Sequence, residues 1–306
     1  MAQSTSSRSL AGLKAPRFSL GKTDAALGMG LVAPVLICLM TLVVYPFIFA
    51  VYISFTDRTV GAQVVNFVGF DNFRYIFGTQ GFQESVRNTL VMVFVLQSMK
   101  LVLGLGIASV LNQAIRGRTV FRGLTLLPWA MPAFVAYLLW KYMFDPTQAG
   151  AFNMILIDVF GTQLDFLSSR ELAMPSVIIA SFWRGFPFWV ISFLAAMQNI
   201  SPELYEAAAI DGASAWKRFR HITLPSIQHV ILVVTLLSTI WTTNSFENVW
   251  LMTGGGPSNA TMTFPVLAYY GLQTLRLGEA SAVSVSMLPI FAILAFVVVN
   301  LLLKED

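Results

Sequence analysis

Four residues in a strongly apolar stretch, Trp241, Asn244, Ser245 and Asn248, recur at i, i+3, i+4 and i+7, the spacing that aligns side chains on one helical face. An indole ring can stack on the apolar CH face of a sugar ring, while amides and a hydroxyl exchange hydrogen bonds with its hydroxyls. The set therefore suits a carbohydrate. The same residues also suit plain packing, because small polar side chains glue helices together in lipid. Three charges lie in similarly apolar surroundings. Trp183-Arg184-Gly185-Phe186-Pro187 sets a guanidinium among aromatics beside an expected proline kink, and Lys100 and Glu247 each stand among apolar neighbours. A charge in such a place is a functional candidate by default. Glu247 is the one carboxylate deep enough to neutralise Arg184 or Lys100, so a structural ion pair is the competing assignment, and it leaves at least one cation without an acid in this chain.

Other chemistries find no support. Gly254-Gly255-Gly256-Pro257 is followed by Ser258 and no lysine, so it is not a phosphate-binding loop. Gly28-Met29-Gly30-Leu31-Val32-Ala33 fits a loose dinucleotide pattern but follows no strand. His221 and His229 have no carboxylates or cysteines at metal-ligand spacing. No catalytic or metal set can be assembled, and any energy source has to sit on another subunit.

A second kind of segment is EAAAIDGASAWKRFRHITLP, residues 206–225, polar and basic between two apolar stretches. Ser201-Pro202 predicts a helix start, with the serine hydroxyl as cap and proline in the first turn. Leu204, Ala207 and Ala208 give that helix a narrow face of small side chains. Gly212 supplies the positive φ that ends it, and Ser214 caps a second short helix running to His221. Such a pair makes a compact protrusion on which a partner protein can dock. A basic amphipathic loop lying on anionic lipid is the plainer alternative.

The elements that must position these residues follow from composition. The chain has 306 residues, 56% hydrophobic, 13% aromatic and only 11% charged. Its mean hydropathy is +0.71. These values place it among all-α membrane proteins. Residues 31–55 run without a charge, and five further spans are predicted over about 89–111, 122–144, 173–198, 228–252 and 280–303. Cys38, the single cysteine, falls in the first span, so no intramolecular disulfide can form. The preceding residues 1–30 carry Arg8, Lys14, Arg17 and Lys22 without an apolar signal-peptide core, and read as a basic tail. With that tail inside, Arg116, Arg118, Arg122, Lys217, Arg218, Arg220 and Lys304 are also inside. They outweigh Arg58, Arg74, Arg87, Lys141, Arg170 and Arg276 outside. The bias predicts cytoplasmic N and C termini, with 304–306 as the cytoplasmic end. Segment 199–227 is then a cytoplasmic loop within a transmembrane domain over 31–303.

The loop resembles the EAA loop of ATP-binding cassette (ABC) importer permeases. That pattern, Glu-Ala-Ala, three residues, Gly, nine residues, Ile, one residue, Leu-Pro, is met by Glu206, Ala207, Ala208, Gly212, Ile222, Leu224 and Pro225, with Asp211 inside it. FVGFDNFRYIF, RNTL, LLPWAMPAFVAYLLWKYMFDP, FWRGFPFWVISFLAAMQNISPELYEAAAIDGA and WTTNSFENVWLMTGGGP are similar to the carbohydrate-uptake subgroup. Lys100 departs from it, since an apolar or neutral residue is expected there. The resemblance implies a type I importer permease fold with six transmembrane helices. It implies a second permease subunit, two ATP-binding subunits that hold ATP and Mg, and an extracytoplasmic substrate-binding protein. It also implies a place in a bacterial or archaeal inner membrane, no nucleic acid partner, and coupling through the loop. It favours a neutral oligosaccharide or polyol over an anionic sugar derivative such as a sugar phosphate or uronate oligomer. A stand-alone secondary transporter or a polytopic enzyme accounts less well for the protruding loop.

Overall fold

The computed structural model describes residues 22–147 and 149–289, with 292, 293, 296 and 300. Most of the predicted basic tail, the second half of the predicted sixth span and the end at 304–306 lie outside them. The chain divides into two compact units, Met1–Phe49 and Ala50–Asp306.

The first unit holds α1 (Lys22–Leu39), a wide π-type turn (Met40–Val44) and the start of α2 (Tyr45–Ser54). Proline supplies no N–H to the carbonyl four residues back and crowds it. One residue before Pro46 the helix widens, so that the Tyr45 N–H reaches the Met40 carbonyl five residues back. The run Leu27–Ser54 stays helical throughout, with mean hydropathy 2.5.

The second unit begins its main body with α3 (Asp71–Gly78) and α4 (Gln80–Leu111), the latter capped by the Thr79 hydroxyl, which accepts from the Phe82 N–H. At 32 residues, α4 is about 48 Å long and exceeds the ~30 Å of hydrocarbon it has to cross. Its buried side chains, Ser85, Thr89, Met92, Leu96, Lys100, Gly104, Ala108 and Leu111, recur every three or four residues on one face. That face packs on α8 (Ala173–Gln198), which carries Pro187 in its interior. Between them come α5 (Arg118–Ala130), α6 (Ala133–Met143) and α7 (Ala151–Phe160).

The predicted span over 122–144 falls on two helices, α5 and α6, that meet at 92°. Proline pushes the residue before it out of helical geometry. Met131 (ψ 134°) and Pro132 (ψ 137°) are accordingly both extended. Beyond α8 lie α9 (Pro202–Ile210), α10 (Ala215–Arg218) and α11 (Leu224–Thr243), the last two joined by a second π-type turn over Phe219–Thr223. The cause repeats: one residue before Pro225, the Leu224 N–H reaches the Phe219 carbonyl. The predicted fifth span over 228–252 is also interrupted. The helix stops at Thr243, Asn244 folds its amide back on the Ile240 carbonyl at 2.8 Å, and α12 (Glu247–Met252) starts after the break. Then come α13 (Phe264–Gln273) and α14 (Leu277–Ser286), which pack with α3 around Phe73, Ile76, Phe264 and Val283.

Among the described residues, four helices are long and apolar enough to cross a membrane, and the bent α5–α6 pair makes a fifth if it counts as one span. The α4–α8 seam is the most extensive helix pairing in this body. Trp189 and Phe193 of α8 are fully buried, and a Cβ added to Gly104 of α4 would stand 3.1 Å from the Trp189 Cβ. Gly104→Leu is therefore expected to cost about 1–3 kcal/mol through overpacking. Gly106→Leu, at a site with nothing within 4 Å, should unfold like the parent chain. Thermal unfolding of both variants in detergent checks the contrast.

Candidate functional site

Lys100 stands on the buried face of α4, and only 5% of it is exposed. Its ammonium Nζ donates to the hydroxyls of Ser238 at 3.4 Å and Thr242 at 3.5 Å, both on α11. The Thr242 hydroxyl also accepts from Gln97 Nε2 at 3.0 Å. The lysine stem runs across Gly185 of α8, where a Cβ would come within 2.8 Å of Lys100 Cε. Glycine at this crossing is what lets the side chain pass between the helices.

The ammonium borders a cavity of about 120 Å³. Arg184 of α8 lines it, with its Nε buried and unpartnered. Trp129 of α5, Tyr137 of α6, Phe188 of α8 and Trp241 of α11 give it aromatic walls. The Phe188 and Trp241 rings lie 5.0 Å apart at 60°. Ser181, Ser238, Thr242, Ser245 and Asn248 complete the polar lining. Such a lining offers ring faces for stacking and several hydrogen-bonding groups within one small volume.

Five of the residues singled out from sequence therefore meet in this cavity: Lys100, Arg184, Trp241, Ser245 and Asn248. Three do not. Trp183 turns away and packs edge-on against Trp140, with ring centres 5.8 Å apart. Asn244 is exposed and engaged with its own helix at Ile240. Glu247 is exposed in the first turn of α12, and among the described residues no ion pair joins it to Lys100 or Arg184. The expected stripe fails at one point: the helix ends at Thr243, so Asn244 and Asn248 do not share a continuous helical face with Trp241. The stripe that does line the cavity is Ser238, Trp241, Thr242 and Ser245, which has the same i, i+3, i+4, i+7 spacing begun three residues earlier. That signal was present in the sequence. Tyr137 and Trp129 carried none, because the right-angle bend at Pro132 is what brings them in.

Asn248 is 1% exposed and serves as a clamp. Its Oδ1 accepts from Ser245 Oγ at 2.9 Å and from the Val249 N–H at 2.9 Å, and its Nδ2 donates to Ser181 Oγ at 3.1 Å. Asn248→Ala should destabilise the fold by about 1–3 kcal/mol by stripping these buried partners. Asn244→Ala should stay within about 0.5 kcal/mol of the parent. Chemical denaturation in detergent distinguishes the two.

The second candidate region is the protrusion at α9 and α10. Pro202 occupies the first turn of α9 as expected, but the Ser201 hydroxyl makes no capping bond. Gly212 has φ +73°. Around it the Gly212 N–H bonds the Ala209 carbonyl at 3.1 Å and the Ala213 N–H bonds the Ala208 carbonyl at 2.8 Å, the paired bonds of a Schellman stop. Ser214 caps α10 through the Lys217 N–H at 3.3 Å. The second helix does not end at His221, because α10 continues through the π-type turn into α11. Tyr205 Oη meets Thr223 Oγ1 at 2.9 Å and ties α9 to that turn. Glu206, Ala207, Asp211, Gly212 and Pro225 are exposed, Ala208, Ile222 and Leu224 partly so, and no residue of α9 is buried. Leu204, Ile210 and Trp216 also face outwards, Ile210 with 88% of its surface.

This architecture and this sequence have relatives. The profile of the binding-protein-dependent transport system inner membrane component matches residues 100–304. The chain is 33% identical over 280 residues to a trehalose/maltose transport system permease protein of Thermococcus litoralis, covering 91% of this chain and 93% of that protein. It is 30% identical over 285 residues to a sulfoquinovosyl glycerol transport system permease protein of Agrobacterium fabrum, covering 92% of each. The backbone matches a chain from the crystal structure of a bacterial ABC transporter involved in importing the acidic polysaccharide alginate, with a TM-score of 0.79 at 22% identity, over 91% of this chain and 96% of that one. That likeness concerns the fold, which is the type I ABC importer permease fold. The chain belongs to the family of binding-protein-dependent transport system inner membrane components, the permease subunits of ABC importers.

Proposed function

We propose that this chain is the permease subunit of an ATP-driven importer of a carbohydrate, forming half of the translocation path in a bacterial or archaeal inner membrane. The observation that carries the cargo class is the cavity itself. Indole, phenyl and phenol rings stand beside serine and threonine hydroxyls, the combination that grips a sugar by its CH face and its hydroxyls together. Relatives named for trehalose/maltose and for sulfoquinovosyl glycerol transport support the same class.

The remaining parts of the proposal follow from the family. The chain crosses the membrane six times with both termini in the cytoplasm and pairs with a second permease subunit. Two ATP-binding subunits hold ATP and Mg, and an extracytoplasmic substrate-binding protein delivers the cargo. The α9–α10 protrusion is the docking element for an ATP-binding subunit. Glu206, Ala207, Ala208 and Asp211 present its surface, Gly212 sets its angle, and Ile222, Leu224 and Pro225 join it to α11. Its support is the exposed apolar trio of Leu204, Ile210 and Trp216 on a basic, alanine-rich element, a surface that asks for a protein partner. Closing of the ATP-binding pair would then tilt the helices between inward-facing and outward-facing forms.

Two measurements test this. Glu206→Lys should abolish substrate-stimulated ATPase activity and uptake in the reconstituted transporter, and unaltered activity would remove the docking assignment. Trp241→Ala should slow sugar uptake several-fold, since loss of one stacking ring is worth about 1 kcal/mol. Unchanged transport kinetics would return Trp241 to helix packing.

A further inference from the structure

We infer that the cargo recognised by this cavity is an acidic saccharide, with Lys100 and Arg184 as the groups that select its anionic substituent. The inference rests on the carbohydrate reading above and narrows it. Two cations line one small cavity, and among its lining residues there is no carboxylate. The acid that could have neutralised them, Glu247, is exposed in α12 and pairs with neither. The partners Lys100 does have are two hydroxyls at the long end of hydrogen-bonding distance, and Arg184 keeps a buried Nε with no partner at all.

A cation retained for packing alone is expected to be met by a carboxylate, because an uncompensated buried charge is strongly destabilising. These two are held without one among the lining residues of the same cavity. In a cavity with low-dielectric walls, two cations without a carboxylate raise a positive potential that an entering anion relieves. The neutral polar groups do not compete for that role. The Asn248 amide is committed to Ser245, Val249 and Ser181, and Thr242 accepts from Gln97. Indole N–H groups and hydroxyls remain for the sugar itself, while Lys100 and Arg184 are the charged donors of the lining, and a planar guanidinium fits a carboxylate, sulfonate or phosphate by paired hydrogen bonds. The aromatic walls still require a ring to stack on, which keeps the cargo a saccharide. The sequence placed a neutral sugar ahead on resemblance; the acid-free lining reverses that order.

The test uses the complete transporter with its substrate-binding protein in proteoliposomes, offered matched pairs. These are a uronic-acid trisaccharide and its carboxyl-reduced neutral form, a hexose 6-phosphate and the free hexose, and a sulfonated hexose and its unsubstituted parent. The readout is the ratio of acidic to neutral uptake within each preparation, which cancels differences in folding and assembly between variants. The parent transporter should favour one acidic member by at least about tenfold. Lys100→Met and Arg184→Met should each lower that ratio about tenfold or more, while Arg184→Lys should retain more of it than Arg184→Met. Equal or faster uptake of every neutral member by the parent transporter would overturn the inference while leaving the carbohydrate reading intact. So would a ratio unmoved in both Met variants. If no saccharide of either charge enters, the carbohydrate reading fails and this inference falls with it.

Discussion

A lysine lies on the face along which α4 packs, and the surrounding structure has to accommodate it. Gln97 apart, every other buried residue in the C-terminal half of that face is small or apolar, so the α4–α8 seam could close completely as it does at Gly104 and Trp189. Closing it over an ammonium would cost several kcal/mol. Instead, Gly185 makes room for the lysine stem, Ser238 and Thr242 turn hydroxyls towards its head, and the third helix, α11, stands off enough to leave a cavity. The opening and the lysine explain each other. A lysine that shared this seam with apolar neighbours alone would have neither the hydroxyl partners nor the space.

Interrupted helices supply the rest of the lining. Irregular backbone at membrane depth is tolerated where it borders a cavity, because there its carbonyls and amides find partners other than lipid. Two such breaks meet at this site. The bend at Met131-Pro132 brings Trp129 from one helix and Tyr137 from the next to the same wall. The break over residues 244–246 releases Ser245 and Asn248 from the strict register of α11, so that Asn248 can reach back to Ser181 of α8. The clamp at Asn248 then fixes the loose end.

Much of this was legible in the sequence, and the limits of that legibility have physical causes. The fourth span was read at its observed bounds because its apolar run begins and ends without ambiguity. Gly212 was read correctly since few residues tolerate φ +73° and the segment around it needs a stop. The paired-charge assignment of Glu247 failed because periodicity assumes an unbroken helix, and α11 stops at Thr243, where the Asn244 amide folds back on the Ile240 carbonyl. The third span hides a break of a similar kind: Pro132 was visible, but not whether the chain would bend by a few degrees or by 92°. Sequence spacing locates residues well inside an element and poorly across its ends, and this cavity is built at the ends.

The protrusion and the cavity are also less separate than their positions suggest. The run Ala215–Thr243 is helical over 29 residues, because the π-type turn before Pro225 absorbs the proline without ending the hydrogen-bonded chain. From Trp216 to Ser238 this run covers roughly 33 Å at the helical rise. One end carries the exposed indole beside the Schellman stop, and the other carries Ser238, Trp241 and Thr242. The Tyr205–Thr223 bond braces α9 against the same run. Lys100, in contrast, belongs to α4, which packs on α8. Any rotation of the α11 run relative to that pair would move the two hydroxyls away from the ammonium they now solvate, and so change the polarity of the cavity in step with the position of the protrusion.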